Sequence, residues 1–213
     1  MINLEFVKRL ISSLILFTII TYVVFYELLL LKFLLLILLI VSLTEWIKMI
    51  KNKLLVLAGG IFITFSFFAA LQIIQINSGF LFYIILIICI STDIGGYLFG
   101  KMIGGPKLTK ISPNKTFSGA IGSFLLPILV FLILINTQNI LSFELKINIP
   151  LILLLSLISQ IGDLAVSYFK RVYKIKDTGK FIPGHGGLLD RIDGMLFVFP
   201  FIFLILQTDQ LVF

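Results

Sequence analysis

At 213 residues, 60% of them hydrophobic and 13% charged, with a mean hydropathy of +1.18, the chain is far more apolar than ordinary globular domains, which run at about 45–50% and about 25%. Such side chains cannot be hidden inside a water-soluble surface, and disorder, a disulfide scaffold (Cys89 is the only cysteine) and a coiled coil are excluded as well. A net charge of +7, from 17 Lys and Arg against 10 Asp and Glu, points first to membrane topology and then to an anionic ligand; no nucleic-acid partner is expected.

A membrane-spanning helix needs roughly 20 mostly apolar residues. In chain order the runs are Leu10–Tyr26, Leu28–Thr44, Leu54–Leu71, Gly79–Gly100, Ser118–Ile135, Pro150–Phe169 and Gly194–Gln207. The first follows Lys8 and Arg9, is longer than a signal-peptide core and has no small-x-small cleavage site after it, so it reads as an uncleaved first span. The expected fold is an all-α, polytopic membrane protein of about seven helices. It forms a single domain over 1–213, with less specific spans in 1–78 and the chemistry-bearing region in 79–207. Seven spans place 15 of the 17 basic residues on one side, leaving only Lys32 and Lys146 elsewhere. Positive charge stays cytoplasmic, so the N-terminus is expected inside and the C-terminus outside.

Acidic residues within spans are the first chemical signal. A mid-bilayer carboxylate costs about 2.5–3.5 kcal/mol on insertion scales, so it usually faces a polar cavity. Asp93 and Asp163 each lie roughly 9–11 Å from the cytoplasmic end of their helices. Ser167 and Lys170 follow Asp163 at helical spacing, on the same face. The structural alternative is a carboxylate neutralised by a neighbouring basic side chain.

The loop 170–193 is the second signal. It gathers Lys170, Arg171, Lys174, Lys176, Asp177, Lys180, His185, Asp190, Arg191 and Asp193 around Pro183-Gly184-His185-Gly186-Gly187. That glycine-rich backbone suits close approach by a ligand through its N–H groups. Asp190 and Asp193, spaced i, i+3, would aim both carboxylates to one side of a helix. Mg²⁺ uses one or two such carboxylates with phosphate oxygens and water, and Lys and Arg can hold the phosphates. The bland reading, a topogenic basic loop, explains the Lys and Arg but not the Asp, His and Gly together. A third segment, Lys101–Gly119, carries Gly104-Gly105, Lys107, Lys110, Ser112, Asn114, Lys115 and Thr116 without a Walker pattern. Gly96, Gly100 and Gly104, spaced by four, read as a helix-packing seam. His185 is the only histidine, which argues against a zinc site.

Ser167-x-x-Lys170-Arg171, Lys176-Asp177-x-Gly179 and Pro183-Gly184-His185-Gly186-Gly187-x-x-Asp190-Arg191-x-Asp193 together resemble the C-terminal signature of the phosphatidate cytidylyltransferases (CDP-diacylglycerol synthases). Gln160-x-Gly162-Asp163, Ile111-Ser112-Pro113-x-Lys115-Thr116 and Asp93-x-x-x-Tyr97-x-x-Gly100 are similar to further family segments, so the resemblance covers roughly 90–195. Upstream it extends only to hydropathy and Glu45-Trp46. Ser118 stands where the family commonly has Glu, and this chain is shorter with fewer spans.

The resemblance implies that CTP and phosphatidic acid react to CDP-diacylglycerol and pyrophosphate, in phospholipid biosynthesis, with Mg²⁺ and in some members a second, monovalent cation such as K⁺. It implies Asp163 and Asp190 as first metal ligands, and Asp193 and Asp93 next. It makes Lys170, Arg171, Lys115 and Arg191 phosphate clamps, and Ser112, Thr116, Ser167 and His185 polar contributors to substrate binding. The expected setting is the bacterial inner or plasma membrane, among membrane lipid, with the active site facing the cytoplasm; a homodimer is left open. The alternatives are a CTP-dependent polyprenol or phytol kinase and, from another class, an ion-coupled transporter. A CDP-alcohol phosphatidyltransferase is disfavoured, because Phe197 and Val198 stand where its motif needs Ala-Arg.

Overall fold

The computed structural model describes residues 18–109, 112–136, 148–179 and 186–208. The start of the first span, Lys110, Ile111, Lys180 and His185 lie outside the described residues. In lipid every backbone N–H and C=O must be satisfied within its own segment, and the apolar runs do so as helices. They are α1 (residues 18–26), α2 (Leu28–Met49), α3 (Lys53–Ile74), α4 (Phe80–Met102), α5 (Phe117–Asn136), α6 (Ile149–Val172) and α7 (Leu189–Gln207), with one 3₁₀ turn, Ile76–Gly79, before α4. Among the described residues there are no strands, and an isolated bridge joins Lys107 to Thr116. Five helices, α2 to α6, are long and apolar enough to cross a membrane. The protein is an all-helical, polytopic membrane protein.

The breaks follow local chemistry. Asn52 caps α3, its side chain accepting from Leu54 and Leu55 N–H, and Asn148 caps α6 just before Pro150. Large apolar side chains such as Leu29, Phe33, Ile37, Leu57 and Ile61 face outward, as a lipid-facing surface requires. Inside the bundle, Pro200 removes the amide that would bond the carbonyl of Leu196, and Ser66 Oγ of α3 donates to that carbonyl instead, at 2.6 Å.

Glycine decides which helices touch. The α4–α5 pair makes the most extensive helix contact. A Cβ on Gly95 would meet the Gly122 carbonyl, one on Gly96 the Ser123 hydroxyl and one on Gly100 the Thr116 hydroxyl. The packing seam expected at Gly96 and Gly100 is therefore present. Gly104 is not part of it: α4 ends at Met102, and Gly104 turns the loop with φ +66° and no neighbour within 4 Å of a Cβ. A second seam joins α6 to α7, where a Cβ on Gly162 would meet the Asp193 carbonyl and one on Gly194 would meet Ser159.

Candidate active site

Some of the seam glycines stand near an acidic residue in sequence: Asp93-x-Gly95-Gly96, Gly162-Asp163 and Asp193-Gly194. Close approach of the α6 and α7 backbones at Gly162 and Gly194 brings Asp163 and Asp193 near each other, while the glycines after Asp93 pack α4 on α5. Asp93 interacts electrostatically with Asp163, Lys115 and Arg191, and Asp193 with Asp163, Asp93 and Lys170. Asp193 is buried, and one of its oxygens accepts from the Gly194 N–H at 2.8 Å.

Lys115 reaches this cluster because the loop after α4 folds back on itself. Leu108 N–H donates to the Lys115 carbonyl, Phe117 N–H to that of Pro106 and Ser118 Oγ to that of Gly104. Thr116 Oγ1 caps α5 by accepting from Gly119 N–H at 3.1 Å. The loop thus delivers Lys115 Nζ to Asp163 Oδ2 at 2.5 Å, while Ser167 Oγ donates to Asp163 Oδ1 at 3.3 Å. Ser112 is half-buried in the same loop, its carbonyl accepting from Lys115 N–H.

A second Lys–Asp pair forms one helix away. Lys170 Nζ lies 2.7 Å from Asp190 Oδ1, with both side chains largely buried. Asp190 Oδ2 accepts from Thr178 N–H at 2.8 Å, Thr178 Oγ1 at 3.1 Å and Gly187 N–H at 3.0 Å. The two pairs share one pattern: one carboxylate oxygen is held by neighbouring donors, and the other presents its charge to an ammonium. Arg171 and Arg191 are exposed at the rim.

Gly187 has another role than the ligand approach expected from sequence. A Cβ there would meet Thr178, Gly179 N and Glu45, so its bareness lets the loop pack on the protein's own carboxylates. Glu45 is the residue that sequence reasoning left without a role. It is buried on α2, and the only signal for it was its place beside Trp46, whose ring packs edge-on to Phe169 of α6.

Among the described residues, no three His, Cys, Asp or Glu side chains form a ready-made metal cage. The arrangement supplies instead a few carboxylate oxygens facing cationic groups, the kind of donor set that Mg²⁺ completes with phosphate oxygens and water. The chemistry such a site can perform is the juxtaposition of two phosphates against their mutual repulsion.

Comparison with known proteins places the chain among relatives. Residues 54–209 match the model of the cytidylyltransferase family. The phosphatidate cytidylyltransferase of Staphylococcus aureus (strain COL) is 36% identical over 187 residues, covering 76% of this chain and 71% of that protein. That of Staphylococcus epidermidis (strain ATCC 12228 / FDA PCI 1200) is 37% identical over 194 residues, covering 77% and 73%. That of Brucella suis biovar 1 (strain 1330) is 46% identical over 108 residues, covering 50% and 39%. With the matched region containing all four site carboxylates and both lysines that pair with them, the chain belongs to the cytidylyltransferase family.

Proposed function

We propose that this chain is a phosphatidate cytidylyltransferase, converting CTP and phosphatidate to CDP-diacylglycerol and pyrophosphate. One observation carries the reading: in a member of this family, Lys115 pairs with Asp163 and Lys170 with Asp190, which sets two ammoniums against two carboxylates of the matched region. The polyprenol kinase and transporter alternatives are not favoured, because the relatives matched are named phosphatidate cytidylyltransferases.

The phosphate of phosphatidate is already an anionic nucleophile, so the reaction needs no activated Ser or Cys. One of its oxygens bonds to the α-phosphorus of CTP, the bond from that phosphorus to the bridging oxygen breaks, and pyrophosphate leaves with the electron pair. Asp163 Oδ2 and Asp190 Oδ1 are the oxygens that would hold Mg²⁺, with Asp93 and Asp193 beside them. The bound ion would neutralise phosphate charge and polarise the reacting phosphoryl group. Lys115 and Lys170, whose ammoniums face those oxygens, bind the phosphates. Arg171 and Arg191 meet them at the rim. Ser167 and the donors on Asp190 Oδ2 keep the two carboxylates oriented.

The direct test is phosphatidate-dependent formation of radiolabelled CDP-diacylglycerol from CTP by purified protein in detergent, with and without K⁺. No product, or phosphorylation of a polyprenol instead, would overturn the assignment.

The site is read as facing the cytoplasm of a bacterial inner membrane. The α2–α3 connection and the loops before α5 and α7 meet at one end of the bundle through the Trp46–Phe169 and Lys115–Asp163 contacts, and they carry the basic residues. Cysteines at Lys51, Lys107 and Asp177 should label from the cytoplasmic side, and those at Gln75 and Asn148 from the opposite side. Labelling of 107 and 177 from opposite faces would contradict both the topology and the shared site.

If Lys115 clamps a phosphate, Lys115→Ala should lower kcat/KM at least tenfold, or about 1.4 kcal/mol of transition-state stabilisation. Lys51→Ala, an exposed lysine outside the site, should leave it within about twofold. Equal losses in both would indicate a general surface-charge effect.

A further inference from the structure

Helix α7 begins without a cap of its own. Its N-cap is Leu188, which has no side-chain acceptor for the free amides of the first turn. The acceptor comes from α2. Glu45 Oε1 accepts from Leu188 N–H at 2.9 Å, and Glu45 Oε2 accepts from Leu189 N–H at 2.9 Å. Thr178 Oγ1 also lies 3.1 Å from Glu45 Oε2, and the same distance from Asp190 Oδ2. A hydroxyl has one proton, so Thr178 donates to one of the two carboxylates at a time, and it stands in contact with both. Glu45 lies outside the segment that matches the family model.

We propose that Glu45 is a positioning residue of the transfer reaction. It caps α7 from α2 and, through Thr178, fixes the register of the loop that presents Asp190, Arg191 and Asp193. This rests on the functional reading above. Three features support it: Glu45 is buried, both of its oxygens accept from donors of the chemistry-bearing loop, and the bareness of Gly179 and Gly187 leaves room for its carboxylate. A carboxylate at a helix N-terminus is also favoured by the helix dipole. Glu45 touches no reacting atom. Its effect runs through Asp190, by way of the Leu188 and Leu189 amides and of Thr178.

The test combines kinetics with amide hydrogen exchange on the full-length protein in detergent. In Glu45→Gln, exchange in the peptide 186–191 should accelerate about tenfold, while peptides within α3 keep their wild-type rates. Turnover kcat should fall at least tenfold with KM for CTP within about threefold. Thr178→Val should reproduce part of both changes, and Thr178→Ser, which restores the hydroxyl, should reverse them. Wild-type exchange or wild-type kcat in Glu45→Gln overturns the proposal, as does a change confined to KM. If Glu45→Gln fails to fold, the Thr178 pair decides, and Thr178→Val indistinguishable from wild type overturns it. Failure of the wild type to make CDP-diacylglycerol would instead refute the assigned reaction, and exchange at 186–191 would still report whether Glu45 holds α7.

Discussion

Asp163→Asn is expected to abolish cytidylyl transfer while the protein still inserts, purifies and unfolds at nearly the wild-type temperature. The Lys115–Asp163 pair is partly open, with side chains 26% and 30% exposed, and pairs of that kind contribute about 0–1 kcal/mol to stability. Asn retains an acceptor for Ser167 but loses the anionic oxygen proposed for the metal. Activity of the wild type should rise saturably with Mg²⁺ and vanish in EDTA, and excess Mg²⁺ should not rescue the variant. Substantial turnover in Asp163→Asn, or a wild type indifferent to EDTA, would sink the metal site.

Asp190→Asn should lose both turnover and stability, and the reason is burial. The Lys170 and Asp190 side chains are only 12% and 8% exposed. Removing one member of a buried ion pair leaves the other charge uncompensated, at a cost of about 3–5 kcal/mol. A clear drop in the thermal unfolding temperature in detergent should follow. Pairing Asp190→Asn with Lys170→Met removes the stranded ammonium, so the double variant should regain most of the stability and none of the turnover. An Asp190→Asn protein as stable as wild type would show that the pair bears no such burden.

The helices were legible because lipid leaves the backbone no other choice. The runs read from hydropathy agree with α2 to α7 within a turn or two, and the divergence is greatest where polar residues extend a helix. Thus α2 continues past Thr44 to Met49, carrying Glu45 and Trp46 into the site. Asp93 and Asp163 lie further from their helix ends than hydropathy suggested, because α4 runs on past Gly100 to Met102 and α6 past Phe169 to Val172. The α4–α5 seam was legible in Gly96 and Gly100, although spacing by four drew Gly104 into a seam it does not join. Glu45 was not legible as a cap. Its partners are more than 130 residues away, and nothing in the local pattern of α2 distinguishes a carboxylate that binds another helix's amides from one at the mouth of a loop. The bareness of Gly187 was visible, but sequence cannot say whether a ligand or the protein's own side chain fills the space.

The two lysine–aspartate pairs bear on how such a protein is made. Lys115 precedes Asp163 along the chain, and Lys170 precedes Asp190. A ribosome emits the N-terminal side first. The α4–α5 hairpin, with Lys115 on its connecting loop, is therefore synthesised before α6 brings an acidic residue to the bilayer. In the same way Lys170 closes α6 before Asp190 emerges. Each of these two carboxylates is therefore made after the ammonium that pairs with it.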